Sequence, residues 1–247
     1  MPSILAFVPA RSGSQRIKGK NVRRLNGHPL MAYAIASARE SGIFTRVVVS
    51  TDSPEHAAIA KHYGAEVPVL RPAEFATSTS PDIQWIQHML SEVRPAEDAF
   101  AILRPTSPFR TAAMIRRAWQ RFQSLAEADS LRAVERVRQH PGKMWIVADD
   151  RNSMRPLLDQ SHLEVTWYAG QYQALPVVYV QNSALEIAWT KAVRETGTRE
   201  GRRQAPFFTE GLEGFSLDYE DEWRLAESYA SEGRGVLPAI DVAAYPD

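Results

Sequence analysis

The sequence contains no cysteine, which excludes disulfides and thiolate metal sites. Any metal must then be held by oxygen or by the six histidines. Those stand at 28, 56, 62, 88, 140 and 162 with no His-x-x-x-His or His-x-His spacing, which argues against a zinc enzyme. An excess of either charge is also missing: 29 basic residues balance 29 acidic ones. No global positive field draws the chain to nucleic acid or an anionic membrane, so any anion site must be local. No run approaches the roughly 18 apolar residues of a membrane span, and no basic segment with an apolar core opens the chain as a signal peptide would. The expectation is a cytoplasmic protein.

What is present is a chain of 247 residues, 44% hydrophobic, long enough for one large α/β domain or a domain with a subdomain. Residues 4–10 (ILAFVPA) are a short apolar run ended by a polar, glycine-containing loop, which reads as a buried strand. Helical spacing follows from Pro29 to about Ser41, then a buried strand at 46–51 and a helix that starts at Asp52-Ser53-Pro54 and stops at Gly64. A third strand is expected at 65–70, a helix at about 81–93, a strand at 98–103 and a helix at about 111–125. This alternation means parallel strands joined by crossovers, with ligands outside the carboxyl ends of the strands. From about 130 the rhythm turns to strands, at 130–137, 143–148, 163–168 and 177–189, the last interrupted near Asn182. That run suggests an antiparallel flap or dimerisation subdomain, at about 138–195 of a single domain over 1–247. The chain then returns to the main sheet at 214–217 and closes with a helix at about 220–231, after a linker-like polar tract at 196–204.

The loop ARSGSQRIKGKN directly after the first strand has what a triphosphate needs. It offers small residues for close backbone approach, hydroxyl donors, and Arg11, Arg16, Lys18 and Lys20 for charge. It is neither a P-loop nor a dinucleotide fingerprint, because no Gly-Lys-Ser/Thr follows and Gly13 and Gly19 do not make GxGxxG. The alternative is a solvated basic turn; its place at the ligand-binding end of an α/β sheet favours the anion site.

These motifs resemble the acylneuraminate cytidylyltransferases, also called CMP-sialic acid synthetases. The shared pattern is a strand ending in Ala10-Arg11, the loop Ser12-Gly13-Ser14, and Lys20-Asn21, continuing through VVVSTD at 47–52, LRPAEFA at 70–76 and ILRPTSPFR at 102–110. It recurs weakly in FSLDYEDEWRLAE at 215–227. The resemblance implies a Rossmann-like nucleotide-diphospho-sugar transferase fold, a mostly parallel sheet with helices on both faces and a small antiparallel dimerisation excursion. It assigns Ala10, Arg11, Ser12, Gly13, Ser14, Lys20 and Asn21 to CTP, and Arg71 to the cytosine. Cytosine presents acceptors at O2 and N3, which a planar guanidinium meets with two donors; the alternative for Arg71 is a surface ion pair with Glu74.

Three departures from the family pattern matter. Relatives usually carry Lys at 15 and Gln at 104, where this chain has Gln15 and Arg104. Arg104 either holds a sugar carboxylate in a bidentate pair or is a structural arginine paired to Asp98 or another carboxylate. The sugar-binding stretch survives as Tyr172-Gln173-Ala174-Leu175-Pro176 without its arginine, and Lys143 matches a lysine position near the sugar or is a solvated strand-end lysine. The resemblance thus makes Thr106, Lys143, Gln173 and Arg104 the sugar-side candidates. The family's Asp-x-Asp for Mg²⁺ is here Ser216-Leu217-Asp218, leaving Asp218 as a lone metal carboxylate or as a helix cap. The implied reaction is attack of a 2-keto sugar acid on CTP, with Arg11, Lys20 and Asp218 supplying the charge, in a homodimer. The alternatives are a nucleotidyltransferase for another sugar, such as a 3-deoxy-manno-octulosonate or a sugar phosphate, and a non-catalytic nucleotide-binding homologue.

Overall fold

The run ILAFVP has no polar residue to offer a solvated face and forms β1 (Ile4–Pro9) inside a six-stranded sheet. A computed structural model describes residues 2–246. Alternation along β1 sends Ile4, Ala6 and Val8 to one face and Leu5 and Phe7 to the other. Both faces are therefore covered. After β1 come a two-residue ladder, β2 (Arg24–Leu25) and β3 (His28–Pro29), and α1 (Leu30–Ser41). Gly42, at φ 67°, ends α1 in the left-handed conformation that a Cβ disfavours. β4 (Phe44–Ser50) pairs parallel to β1, and α2 (Pro54–His62) follows, its Ser53 cap accepting the His56 N–H at 3.3 Å.

α3 (Asp82–Val93) packs Trp85, Ile86 and Met89 onto the Leu5/Phe7 face, while α1, α2 and α4 (Ala112–Gln123) cover the other. β5 (Ala99–Ile102) runs parallel to β1 on the side opposite β4. The remaining strands are β6 (Ser130–Arg136), a hairpin of β7 (Trp145–Val147) and β8 (Met154–Pro156), β9 (Tyr179–Trp189) and β10 (Gln204–Phe208). Helices α5 (Thr190–Thr196) and α6 (Glu220–Ser231) follow β9 and β10 respectively. The sheet order is β10-β6-β9-β5-β1-β4, with β9 antiparallel to β5. Because β4 and β5 flank β1 on opposite sides, the loops after these three strands open at one switch point, the usual ligand crevice of such sheets.

Several expected elements differ. Residues 65–70 form no strand; a single bridge, Val48 to Glu66, is all that pairs, because the segment peels off at Pro68. At 214–217 no strand forms: Gly214 ends a turn and 215–217 are unladdered, held by the Leu217 N–H on the Thr106 carbonyl at 2.8 Å. Residues 163–168 are turns, and β9 runs unbroken through Asn182. The tract at 196–204, expected as a linker, ends α5 and leads into β10.

The chain divides into two compact units, 1–133 with 182–247, and 134–181. Residues 182–195, expected within the excursion, belong to the larger unit. In the smaller unit, β7 and β8 pair antiparallel. Its interior is polar. His140 accepts the Gly142 N–H through Nδ1 at 3.0 Å, so Nε2 carries the proton and donates to the Pro176 carbonyl at 3.1 Å. Buried Gln160 bridges the Gly142 carbonyl and the Trp167 N–H at 2.8 and 2.6 Å.

Candidate active site

The loops after β1 and β5, with Arg71, Ser78 and the start of α3, surround a cleft of about 280 Å³ in the larger unit. Seven of the predicted residues line it: Arg11, Ser14, Lys20 and Asn21 from the first loop, Arg71, and Arg104 and Thr106. The first loop is a chain of short turns, and Gly19, at φ 62°, lets the Val22 and Arg23 N–H groups reach its carbonyl at 2.9 Å. Buried Asn21 donates to the Arg11 carbonyl at 2.9 Å and fixes the loop's base. Arg11 itself donates to the Ala76 carbonyl at 3.2 Å.

Not every loop residue faces the cleft. Ser12 turns to Asp52, donating from N at 2.8 Å and from Oγ at 2.6 Å. Burial works to raise the Asp52 carboxyl, and the Ser12 bonds outweigh it and hold it below the usual range. Ala10 is fully buried beside β4, with its carbonyl 3.0 Å from His56 Nδ1. Lys143 and Gln173 lie in the smaller unit, where Lys143 donates to the Gly170 and Tyr168 carbonyls at 2.8 and 3.3 Å and Gln173 sits exposed in a single 3₁₀ turn.

Lys20 donates to the Leu217 carbonyl at 2.8 Å and to Asp218 at 3.2 Å, and Arg16 lies 3.4 Å from the same carboxylate oxygen. The other oxygen accepts from Ser216 at 2.8 Å, so residues 216 and 218 do share a face. Burial lowers the Lys20 ammonium despite Asp218, while Ser216 and Lys20 overcome burial to hold Asp218 below the carboxylate range. Asp218 does not cap α6 through its side chain; Glu222 reaches back to the Asp218 and Tyr219 N–H groups instead, at 2.5 and 2.9 Å.

Arg71 makes no pair with Glu74. Its Nε donates to Ser50 Oγ at 3.0 Å and Nη2 to the Ser50 carbonyl at 2.9 Å, and it lies over Trp85 with Cζ 5.0 Å from the ring centroid. Burial pulls it down to about 10, against the pull of Asp52 and Asp82. Nη1 makes none of these bonds. Arg104 is held by Asp82 at 2.5 Å and Glu186 at 3.0 Å, not by Asp98. Burial would lower it, but these two carboxylates raise it. Arg199 joins the same network on Asp82, and Arg132 on Glu186, at 2.6 and 2.5 Å. Thr106 Oγ1 is buried with no partner among the described residues and lines the cleft. Sequence reasoning missed Asp82 and Trp85, which also line it: an acid at a helix start reads as a dipole-matched terminus and a tryptophan as core.

A cytidylyltransferase family model matches residues 5–175. The chain belongs to the cytidylyltransferase family. It is 33% identical over 225 residues to the N-acylneuraminate cytidylyltransferase of Escherichia coli O18:K1:H7, a match covering 90% of this chain and 51% of that protein. The chain thus spans about half the length of that relative. It is also 33% identical over 228 residues to the CMP-N,N'-diacetyllegionaminic acid synthase of Legionella pneumophila, covering 91% of this chain and 94% of that one. Among solved structures, a CMP:2-keto-3-deoxy-manno-octonic acid synthetase complexed with CTP matches with a TM-score of 0.65 at 12% identity, over 94% of this chain and 99% of the other. That likeness establishes the α/β fold. Among the described residues, no helix is long and apolar enough to cross a membrane.

Proposed function

We propose that this family member transfers CMP from CTP to a nonulosonic, sialic-acid-like sugar, releasing pyrophosphate. The observation that carries the reading is the convergence in one cleft of the loop residues Arg11, Lys20 and Asn21 with Arg71; the kinship with the N-acylneuraminate and diacetyllegionaminate enzymes supports the sugar class. In this reaction the anomeric hydroxyl forms a bond to the α-phosphorus, the bond to the β-phosphate oxygen breaks, and the hydroxyl proton is lost. The step asks mainly for positioning and charge neutralisation. Arg11 and Lys20 face the triphosphate, and Arg71 presents Nη1 to cytosine O2 and N3. Thr106 offers its unpartnered hydroxyl to the sugar, and Lys143 and Gln173 are the remaining sugar-side candidates. Arg104, with two carboxylates on its guanidinium, acts in the architecture of the cleft and not as a free clamp.

Among the described residues, no group of three or more His, Asp or Glu forms a metal cluster. Asp218 with Ser216 is a sparse oxygen set that fits Mg²⁺ arriving with a nucleotide, since this ion takes few carboxylates and keeps phosphate and water oxygens. Bound there, Mg²⁺ would supply charge neutralisation at the phosphates. Lys20 and Arg16, which here hold Asp218, are the cations a triphosphate would engage, and that would leave the carboxylate to hold the ion.

We further propose a homodimer, acting in the cytoplasm, built on the smaller unit. No hydrophobic residue of 134–181 is buried, and Trp145, Val147, Met154 and Val165 are 38, 56, 60 and 65% exposed. A unit with its apolar residues outside needs a cover, and a second copy supplies an identical, self-complementary patch.

Pyrophosphate release with CTP, ATP, GTP and UTP against N-acetylneuraminate, N,N'-diacetyllegionaminate and 3-deoxy-manno-octulosonate tests the reading. The expected result is Mg²⁺-dependent turnover of CTP with a nonulosonic acid, lost by about a hundredfold or more in Lys20→Met. Turnover only with the octulosonate, or tight CTP binding without turnover on any sugar, would overturn it.

A further inference from the structure

Arg71 is fixed on three sides, and only two of them are hydrogen bonds. Ser50 takes Nε and Nη2; the third support is the face of Trp85, 2% exposed, which lines the cleft beneath the guanidinium. The ring is itself keyed. Its indole N–H donates to Asp82 Oδ1 at 2.9 Å, and Phe7 packs edge-on against it with centroids 6.3 Å apart. The other oxygen of Asp82 receives Arg104 and Arg199 at 2.5 and 2.6 Å. One carboxylate thus fixes the ring with one oxygen and two cations with the other. A tryptophan used only to fill the core would need neither a ring face turned to a guanidinium nor an N–H aimed at a cleft carboxylate. Phenylalanine would fill much of the same volume without the donor.

We propose that Trp85, keyed by Asp82, is a positioning residue for base recognition: its ring carries Arg71 so that Nη1 points into the cleft before a nucleotide arrives. The inference rests on the reading that Arg71 meets the cytosine. A guanidinium so aimed presents donors to N3, which is an acceptor in cytosine but an N–H in uracil. Accurate aim therefore appears as preference for CTP over UTP, and loss of the platform as loss of that preference, separate from loss of stability.

The test is calorimetric titration of CTP and of UTP, each with Mg²⁺, into the parent, Trp85→Phe, Asp82→Asn and Arg71→Lys, with melting temperatures for all four. Trp85→Phe keeps a ring and loses the N–H key. It should weaken CTP about fivefold to tenfold, the size of one lost hydrogen bond, and shrink the CTP-over-UTP preference by a similar factor. Asp82→Asn, which still offers the indole an acceptor but loses both cations, should shrink the preference by a smaller factor, about threefold, and stands in if Trp85→Phe does not fold. Arg71→Lys should abolish the preference. If both the Trp85 and Asp82 variants keep the parental preference, or lose CTP and UTP affinity equally, Trp85 is only a core residue and the proposal fails. If Arg71→Lys keeps the preference, the base-recognition reading itself fails.

Discussion

Asp82 sits at the start of α3 with its side chain 30% exposed, yet its carboxyl is held down to about 2. Burial alone would raise it, and the pair with Arg104, backed by the Trp85 N–H and Arg199, outweighs burial. The folded state consequently binds this proton less readily than the unfolded chain, whose aspartates titrate near ~3.9. Stability from Asp82 is complete above the unfolded value and drains away as pH falls from about 4 towards 2. Melting temperatures of the parent and of Asp82→Asn should differ at pH 7 and converge across that window. A constant gap down to pH 2 would mean that the variant acts through packing. Arg110 is the opposite case: 1% exposed with no carboxylate beside it, pulled down to about 9 by burial alone, and held by the carbonyls of Arg104 and Ala184 at 3.0 and 2.7 Å. The first loop was legible at this scale because Arg11, Lys20 and Asn21 fall within one short stretch of sequence directly after β1. The Asp82–Trp85–Arg71 arrangement was not, because Arg71 lies outside the helix that carries Asp82 and Trp85, and each of those two has an ordinary local explanation.

At the scale of elements, the helices followed from local chemistry. α6 occupies 220–231 as expected, with Glu220, Asp221 and Glu222 in its first turn, where acids favour the helix dipole. α4 starts where Thr111 accepts the Met114 N–H at 3.1 Å. Thr111→Ala should cost about 1 kcal/mol of stability and lower the melting temperature by a few degrees, with CTP affinity unchanged; a fall in CTP affinity would show that α4 positions the 104–110 loop. The strands were less legible because pairing is decided at a distance. Residues 65–70 are apolar enough for a strand, but after the bridge at Glu66 the ladder to β4 lapses at Pro68, which has no N–H to donate, and the chains meet again only where the Arg71 N–H donates to the Thr51 carbonyl. β10 was hidden in QAPFF after an arginine-rich tract, since an edge strand carries polar and exposed residues without penalty.

At the scale of the whole molecule, a homodimer is the expected solution state, and sedimentation should report twice the 27.7 kDa of one chain. Trp145→Glu with Met154→Glu places charge on both strands of the β7–β8 hairpin and should yield a monomer whose CTP affinity stays at the parental value. A monomeric parent, or a double variant that remains dimeric, would remove the smaller unit from the interface.

The sheet order also bears on which changes of length the chain can absorb. The polypeptide leaves the sheet at β6 and re-enters at β9, its immediate neighbour, so everything at 134–181 hangs from two adjacent exits. Closing a loop between such exits grows only logarithmically in entropy with its length, about 0.6 kcal/mol for each doubling. Insertions and deletions there therefore cost the sheet little, while the same change between β1 and Arg11 would displace the cleft. The fold has in effect a socket at β6 and β9, into which excursions of different length can be fitted without redrawing the cleft end of the sheet.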